Sequence, residues 1–127
     1  ADCSIDAIVA VEVLEHVPNI IEVLKECERV LCTDGVLYVT MPFMYHIHGD
    51  PDDFRRLTLP GLCALLESDF CVQKAQYYGN LTTIILDSLS SCHPALRLLR
   101  PIFRIGSIFR YSSNKFPSGL IIVARKK

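Results

Sequence analysis

Asp6-Ala7-Ile8-Val9-Ala10-Val11-Glu12-Val13-Leu14-Glu15-His16-Val17-Pro18 decides the fold. Asp6 to Val13 is a short, nearly continuous apolar run, which suits a parallel strand covered on both faces. Pro18 and Asn19 punctuate it, and Asn19 is placed to cap a helix. In that helix Ile20, Leu24, Cys27 and Leu31 form one apolar stripe. Glu22, Lys25, Glu26 and Arg29 occupy the other side and pair at helical spacing. Thr33-Asp34-Gly35 reads as a turn, and Val36 to Met41 as a second strand ended by Pro42. Strand, helix, strand, with acids and a histidine at the carboxyl end of the first strand, is the rhythm of an α/β sheet that binds ligands at that edge.

The rest of the chain extends this unit. Residues 43–57 form a loop dense in chemistry. Thr58 caps a helix through about Ser68, with Pro60 tolerated in its first turn and Leu62, Leu65 and Leu66 buried. Cys71 to Tyr78 reads as a third strand and residues 82–91 as a helix. His93-Pro94 breaks that pattern. Residues 95–110 read as a basic, amphipathic helix kinked at Pro101 and Gly106. Pro117-Ser118-Gly119 is a turn, Leu120 to Ala124 a last strand, and Arg125-Lys126-Lys127 is expected to leave the fold.

The 127 residues fit one domain, and an apolar half of the composition supplies a core. The net charge of −1 hides a split: residues 1–87 hold 14 acids and 5 bases, residues 88–127 hold 8 bases and no acid. Either the two parts neutralise each other in the fold, or the basic part meets an anionic surface. The six cysteines (3, 27, 32, 63, 71, 92) show no Cys-x-x-Cys spacing. That argues against a zinc ribbon or redox dithiol and for a reducing, cytoplasmic setting. No secretory leader and no membrane span is expected.

Three features carry a resemblance: Asp6 to Pro18 with its Leu14-Glu15-His16 turn; Val30-Leu31, a turn, then Gly35 to Pro42; and His48-Gly49-Asp50-Pro51 with Phe54-Arg55-Arg56-Leu57-Thr58. Together and in this order they resemble class I S-adenosylmethionine-dependent methyltransferases, in particular the type 11 group. The resemblance covers most of residues 1–79 and the final strand. It implies an α/β fold: part of a Rossmann-like methyltransferase sheet, parallel except for an antiparallel last strand. Residues 1–127 would be a single, truncated domain, with 80–118 a helical basic insertion before the last strand. The sequence departs from the family at Thr33-Asp34-Gly35, where Pro-Gly-Gly is usual, and at Asp69, where glycine commonly precedes the phenylalanine. The first glycine is Gly35, so no glycine-rich cofactor loop precedes the motif. The chain reads as the second half of an enzyme domain that alone binds S-adenosylmethionine weakly or not at all.

The resemblance implies methyl transfer from S-adenosylmethionine to an oxygen, nitrogen or carbon of a small or lipid-like acceptor. It puts Glu12 and Val13 beside the cofactor, Glu15 and His16 at the catalytic edge, and the His46–Arg56 loop toward the acceptor. From the residues themselves, His16, His46 and His48 are candidate bases, since an imidazole titrates near neutrality. Arg55 and Arg56 either grip a polar substrate or pair with Asp50, Asp52 and Asp53. Tyr45 and Phe54 either wall an acceptor pocket or simply pack. Glu12, Glu15 and His16, at offsets of three and four, share one face of a helical turn. That set is also an option for a divalent metal, with His46 or His48 completing it. The alternative is that Glu15 and His16 brace the turn without metal.

The 95–110 segment groups Arg97, Arg100 and Arg104 within about 60° on a helical wheel. The Arg97–Arg110 helix either packs on the sheet with its arginines outward, touches an anionic membrane, or closes over a lipid-like substrate. Nucleic acid is disfavoured. Two other classes stay open: a non-catalytic remnant that binds a partner or membrane through the insertion, and a dinucleotide enzyme.

Overall fold

A computed structural model describes residues 1–49, 52–92 and 115–127. The elements run β1 (Ile5–Val11), a single 3₁₀ turn (Leu14–His16), α1 (Ile20–Val30), β2 (Leu31–Pro42), α2 (Leu59–Leu66), β3 (Phe70–Tyr78), α3 (Leu81–Cys92) and β4 (Gly119–Lys126). The predicted helix at 95–110, with its arginines, lies outside the described residues.

Local signals set the helix starts. The Asn19 side chain accepts the Glu22 N–H and opens α1; Thr58 accepts the Gly61 N–H and opens α2, with Pro60 in the first turn. The four strands join in one sheet, whose order is β1-β2-β4-β3. β1 runs parallel to β2, with Ala10 opposite Val39. β4 is antiparallel to both neighbours, with Ile122 between Val39 of β2 and Ala75 of β3. The last strand is therefore inserted between two strands that precede it, and it is the one antiparallel member.

The two central strands carry the core. Leu37, Val39 and Met41 of β2 and Leu120, Ile122 and Ala124 of β4 are almost fully buried; Ile20 and Leu24 of α1, Leu62 and Leu66 of α2, and Phe70 join them. Period-2 alternation sends these side chains to one face, where the helical stripes meet them.

Three expectations need correction. β1 is not covered on both faces. Ile8 and Ala10 pack toward the core, but Val9 is 68% and Val11 53% exposed, because β1 is the outermost strand and no described element lies over its second face. The Thr33–Gly35 turn lies within β2 as an irregularity. The pairing jumps from Ile5–Leu31 to Ala7–Val36, and Asp34 absorbs the extra residues at φ 64°. The basic carboxyl end does not leave the fold. Arg125 and Lys126 belong to β4, and the Lys126 ammonium donates to the carbonyls of Glu28 (2.6 Å) and Leu31 (2.9 Å) at the end of α1. Lys127 donates its backbone N–H to Asp69 O and its ammonium to Glu67 O. A cation satisfies the unpaired carbonyls and the negative dipole end of a helix.

Candidate functional site

β1 ends at Val11, and the chain turns sharply at Glu12, a non-glycine residue at φ 52°. The turn is held by hydrogen bonds across the sheet. The Glu12 N–H donates to Thr40 O and Oγ1, both at 3.2 Å. The Thr40 hydroxyl donates to Glu12 Oε1 at 2.7 Å, and the Tyr78 hydroxyl donates to the same oxygen at 3.2 Å. One carboxylate thus ties together the rims of β1, β2 and β3. Burial first, and then the charge of Glu12, push the Tyr78 phenol far above its ordinary range.

Beside it lies a cleft of about 580 Å³, lined among others by Glu12, Thr40, Tyr45, His48, Tyr78 and Asp87. Val13 is exposed and does not line it, nor does Phe54. Phe54 instead donates its backbone N–H to Glu15 O at 2.8 Å.

Behind the cleft wall sits a second cluster. Leu14 anchors the 3₁₀ turn in the core, which carries the next residue, Glu15, to complete burial. Neither Glu15 oxygen has a hydrogen-bond partner. The nearest imidazole nitrogen, His16 Nε2, is 3.6 Å from Oε1, within ion-pair range but beyond hydrogen-bond length. His48 arrives from the loop after β2, its ring edge-on to His16 at a centroid distance of 4.9 Å. One ligand atom each from Glu15, His16 and His48 fall within 4.8 Å of one another. Burial raises the Glu15 carboxyl pKa, its own N–H lowers it, Glu12 raises it, and the two histidines lower it. The helical-turn reading of Glu12, Glu15 and His16 as one set does not describe the geometry. Glu12 sits before the 3₁₀ turn in the left-handed region and faces Thr40 and Tyr78, and His48 takes its place beside Glu15 and His16.

The loop 52–57 fastens the cluster. His16 Nδ1 lies 3.0 Å from Asp52 O. The Arg55 guanidinium donates to the carbonyls of Leu14 (3.0 Å), Val17 and Pro18 (2.6 Å). Arg56 pairs with Asp53, which also accepts the His48 N–H at 3.2 Å. The Arg56 bonds hold the Asp53 carboxyl down, to about 2, against burial. Both arginines are thus turned onto the protein's own groups. His46 is not one of the three grouped ligands; its ring meets that of His48 edge-on at 6.1 Å, lies 4.2 Å from that of Tyr45 and 3.4 Å from Ser91 Oγ.

Thr40, Tyr78 and Asp87 were not singled out by the sequence. Thr40 is a polar residue in an apolar strand and Tyr78 closes a predicted strand. Neither signal separates a cleft residue from ordinary edge chemistry without the strand order.

Residues 1–39 match the family model of the methyltransferase domain. No curated protein sequence matches the chain. Among solved structures, the chain is similar to a SAM-dependent methyltransferase from Archaeoglobus fulgidus (TM-score 0.61, 16% identity, covering 98% of this chain and 61% of that one). It is also similar to SAM-dependent methyltransferases from Methanosarcina mazei (0.58, 19%, 98% and 60%) and to the [4+2]-cyclase SpnF (0.59, 19%, 98% and 50%). The chain thus spans only 50% to 61% of these structures' own length. A cyclase among them shows that this fold hosts more than one chemistry. The match over residues 1–39 and the fold shared over nearly the whole chain relate this protein to the S-adenosylmethionine-dependent methyltransferases.

Proposed function

We propose that these residues form the acceptor side of a methyltransferase site. Its reaction passes a methyl group from S-adenosylmethionine to a nucleophilic oxygen, nitrogen or carbon of a small or lipid-like acceptor. The observation that supports this most is the Glu12 carboxylate, fixed by Thr40 and Tyr78 at the carboxyl end of β1 and facing the cleft. Ligands of open α/β sheets lie at that edge.

The donor supplies an electrophilic methyl group on a positively charged sulfur. A carboxylate at the rim fits such a cation, since both of the hydrogen bonds it receives fall on Oε1. Thr40 and Tyr78 hold that oxygen in place with their two hydroxyls. On the acceptor side, Tyr45 and His48 wall the cleft, and Asp87 lines it from α3. As the acceptor bonds to the methyl carbon, the carbon–sulfur bond breaks with its electron pair left on sulfur, and the acceptor's proton leaves for Glu12 or His48, both of which line the cleft. Val13, exposed beside Glu12, would meet the cofactor from outside the cleft.

The test is transfer of labelled methyl from S-adenosylmethionine by the native protein that contains these residues. Glu12→Gln is expected to lower the rate at least about 100-fold. Transfer unchanged in that variant would overturn the assignment.

A further inference from the structure

Glu15 is the most anomalous side chain among the described residues. It is a fully buried carboxylate with both oxygens lacking a hydrogen-bond partner. Leaving such a group charged and alone costs several kcal/mol, which a proton or a neighbouring cation relieves. Arg55 reaches the turn that carries Glu15 and Arg56 follows it in the chain, but their hydrogen bonds go elsewhere, to carbonyls and to Asp53.

The two imidazoles beside Glu15 are oriented in a telling way. His16 Nδ1 faces the Asp52 carbonyl at 3.0 Å. A carbonyl only accepts, so Nδ1 carries the proton. In the neutral ring Nε2 is then a bare lone pair, and it points at Glu15 Oε1 from 3.6 Å. A lone pair aimed at a carboxylate repels it unless a proton or a metal cation lies between, and at 3.6 Å the two atoms stand too far apart for a shared proton. His48 likewise has an acceptor beside its Nδ1. Its Nδ1 is 3.3 Å from Asp53 Oδ2, and Asp53 is itself held by Arg56. An acceptor on one ring nitrogen is how proteins orient histidine ligands.

We infer that Glu15, His16 and His48 bind a divalent first-row transition ion, with Zn²⁺ and Mn²⁺ as the natural candidates. Two imidazoles and one carboxylate disfavour Ca²⁺ and Mg²⁺, which prefer all-oxygen shells. Three protein ligands leave coordination positions open on the side of His16 and His48, whose side chains are 17% and 33% exposed. Bonds of about 2.0–2.1 Å in tetrahedral geometry put ligand atoms about 3.4 Å apart. From the present limit of 4.8 Å the ligand atoms close inward by about 1.4 Å on binding. Such an ion would withdraw His48 from proton transfer and leave Glu12 as the proton-accepting group of the cleft.

The inference does not depend on methyl transfer, and its test uses the metal alone. The metal-free 127-residue chain is titrated with Co²⁺, read by visible absorption, and then with Zn²⁺ in competition. One saturable equivalent is expected, without the near-ultraviolet band of thiolate ligation that binding at the cysteines would give. Glu15→Gln and His48→Ala, checked for native circular dichroism, are each expected to weaken binding at least about tenfold, no less than loss of an outer-shell partner does. Glu26→Gln, on the exposed side of α1, should leave it unchanged. Absence of saturable binding, a thiolate spectrum, or equal affinity in both site variants would overturn the inference.

Discussion

The Arg55 guanidinium reaches back 41 residues to the carbonyl of Leu14 at 3.0 Å and, with its other nitrogen, to that of Pro18 at 2.6 Å. One planar fork thereby closes the turn that carries Glu15 and His16. Lysine, a single point donor, cannot span the same carbonyls. Arg55→Met is expected to lower unfolding free energy by about 2–3 kcal/mol, the scale of charge-assisted hydrogen bonds, and Arg55→Lys to recover less than half of it. Urea denaturation checks both. An unchanged midpoint in the methionine variant would show the clamp to be idle.

Lys126 makes the equivalent tie at the other end of the molecule, joining β4 to the end of α1 through Glu28 O, Leu31 O and the Glu28 carboxylate at 3.0 Å. Lys126→Met is expected to lower the thermal midpoint. Hydrogen exchange should quicken at the last turn of α1 before any other helix. Faster exchange confined to α2 would contradict this.

Tyr78 governs an alkaline limb of stability. Burial and Glu12 raise its folded pKa well above the unfolded value of about 10. The contribution is complete below about pH 10 and is lost as pH climbs from there toward the folded value, because the unfolded chain releases the proton first. Spectrophotometric titration should show a late phenol that Tyr78→Phe abolishes. The same variant should flatten the fall of stability above pH 10.

Gly119 makes room for that phenol. A Cβ at this position would stand 2.6 Å from Met41 O and overlap the Tyr78 ring. Gly119→Ala is expected to cost about 1–3 kcal/mol, in the range of overpacked positions. It should also push the Tyr78 hydroxyl off Glu12, returning the late titration toward ordinary tyrosine. A normal late phase in Gly119→Ala would break the link between the two residues.

What the sequence determined by itself is local. Asn19 and Thr58 announced their helices because a cap bonds a backbone N–H three residues on. The apolar runs at Ile8–Val11 and Val36–Met41 announced parallel neighbours, and the Leu14-Glu15-His16 run announced the rim. The strand order was decided only in three dimensions. β4 slips between β2 and β3, and no nearest-neighbour rule places a last strand inside the sheet. That insertion puts Tyr78 and Thr40 on one Glu12 oxygen. The predicted cluster lost one member, Glu12, for a related reason. Helical spacing groups Glu12 with Glu15, but a left-handed turn at Glu12 separates them, and a loop from beyond β2 delivers His48 instead. Arg55 turned inward because the carbonyls of the 14–18 turn lay within its reach, a fact of folded distance that residue spacing does not encode, whereas Arg56 took the nearby Asp53.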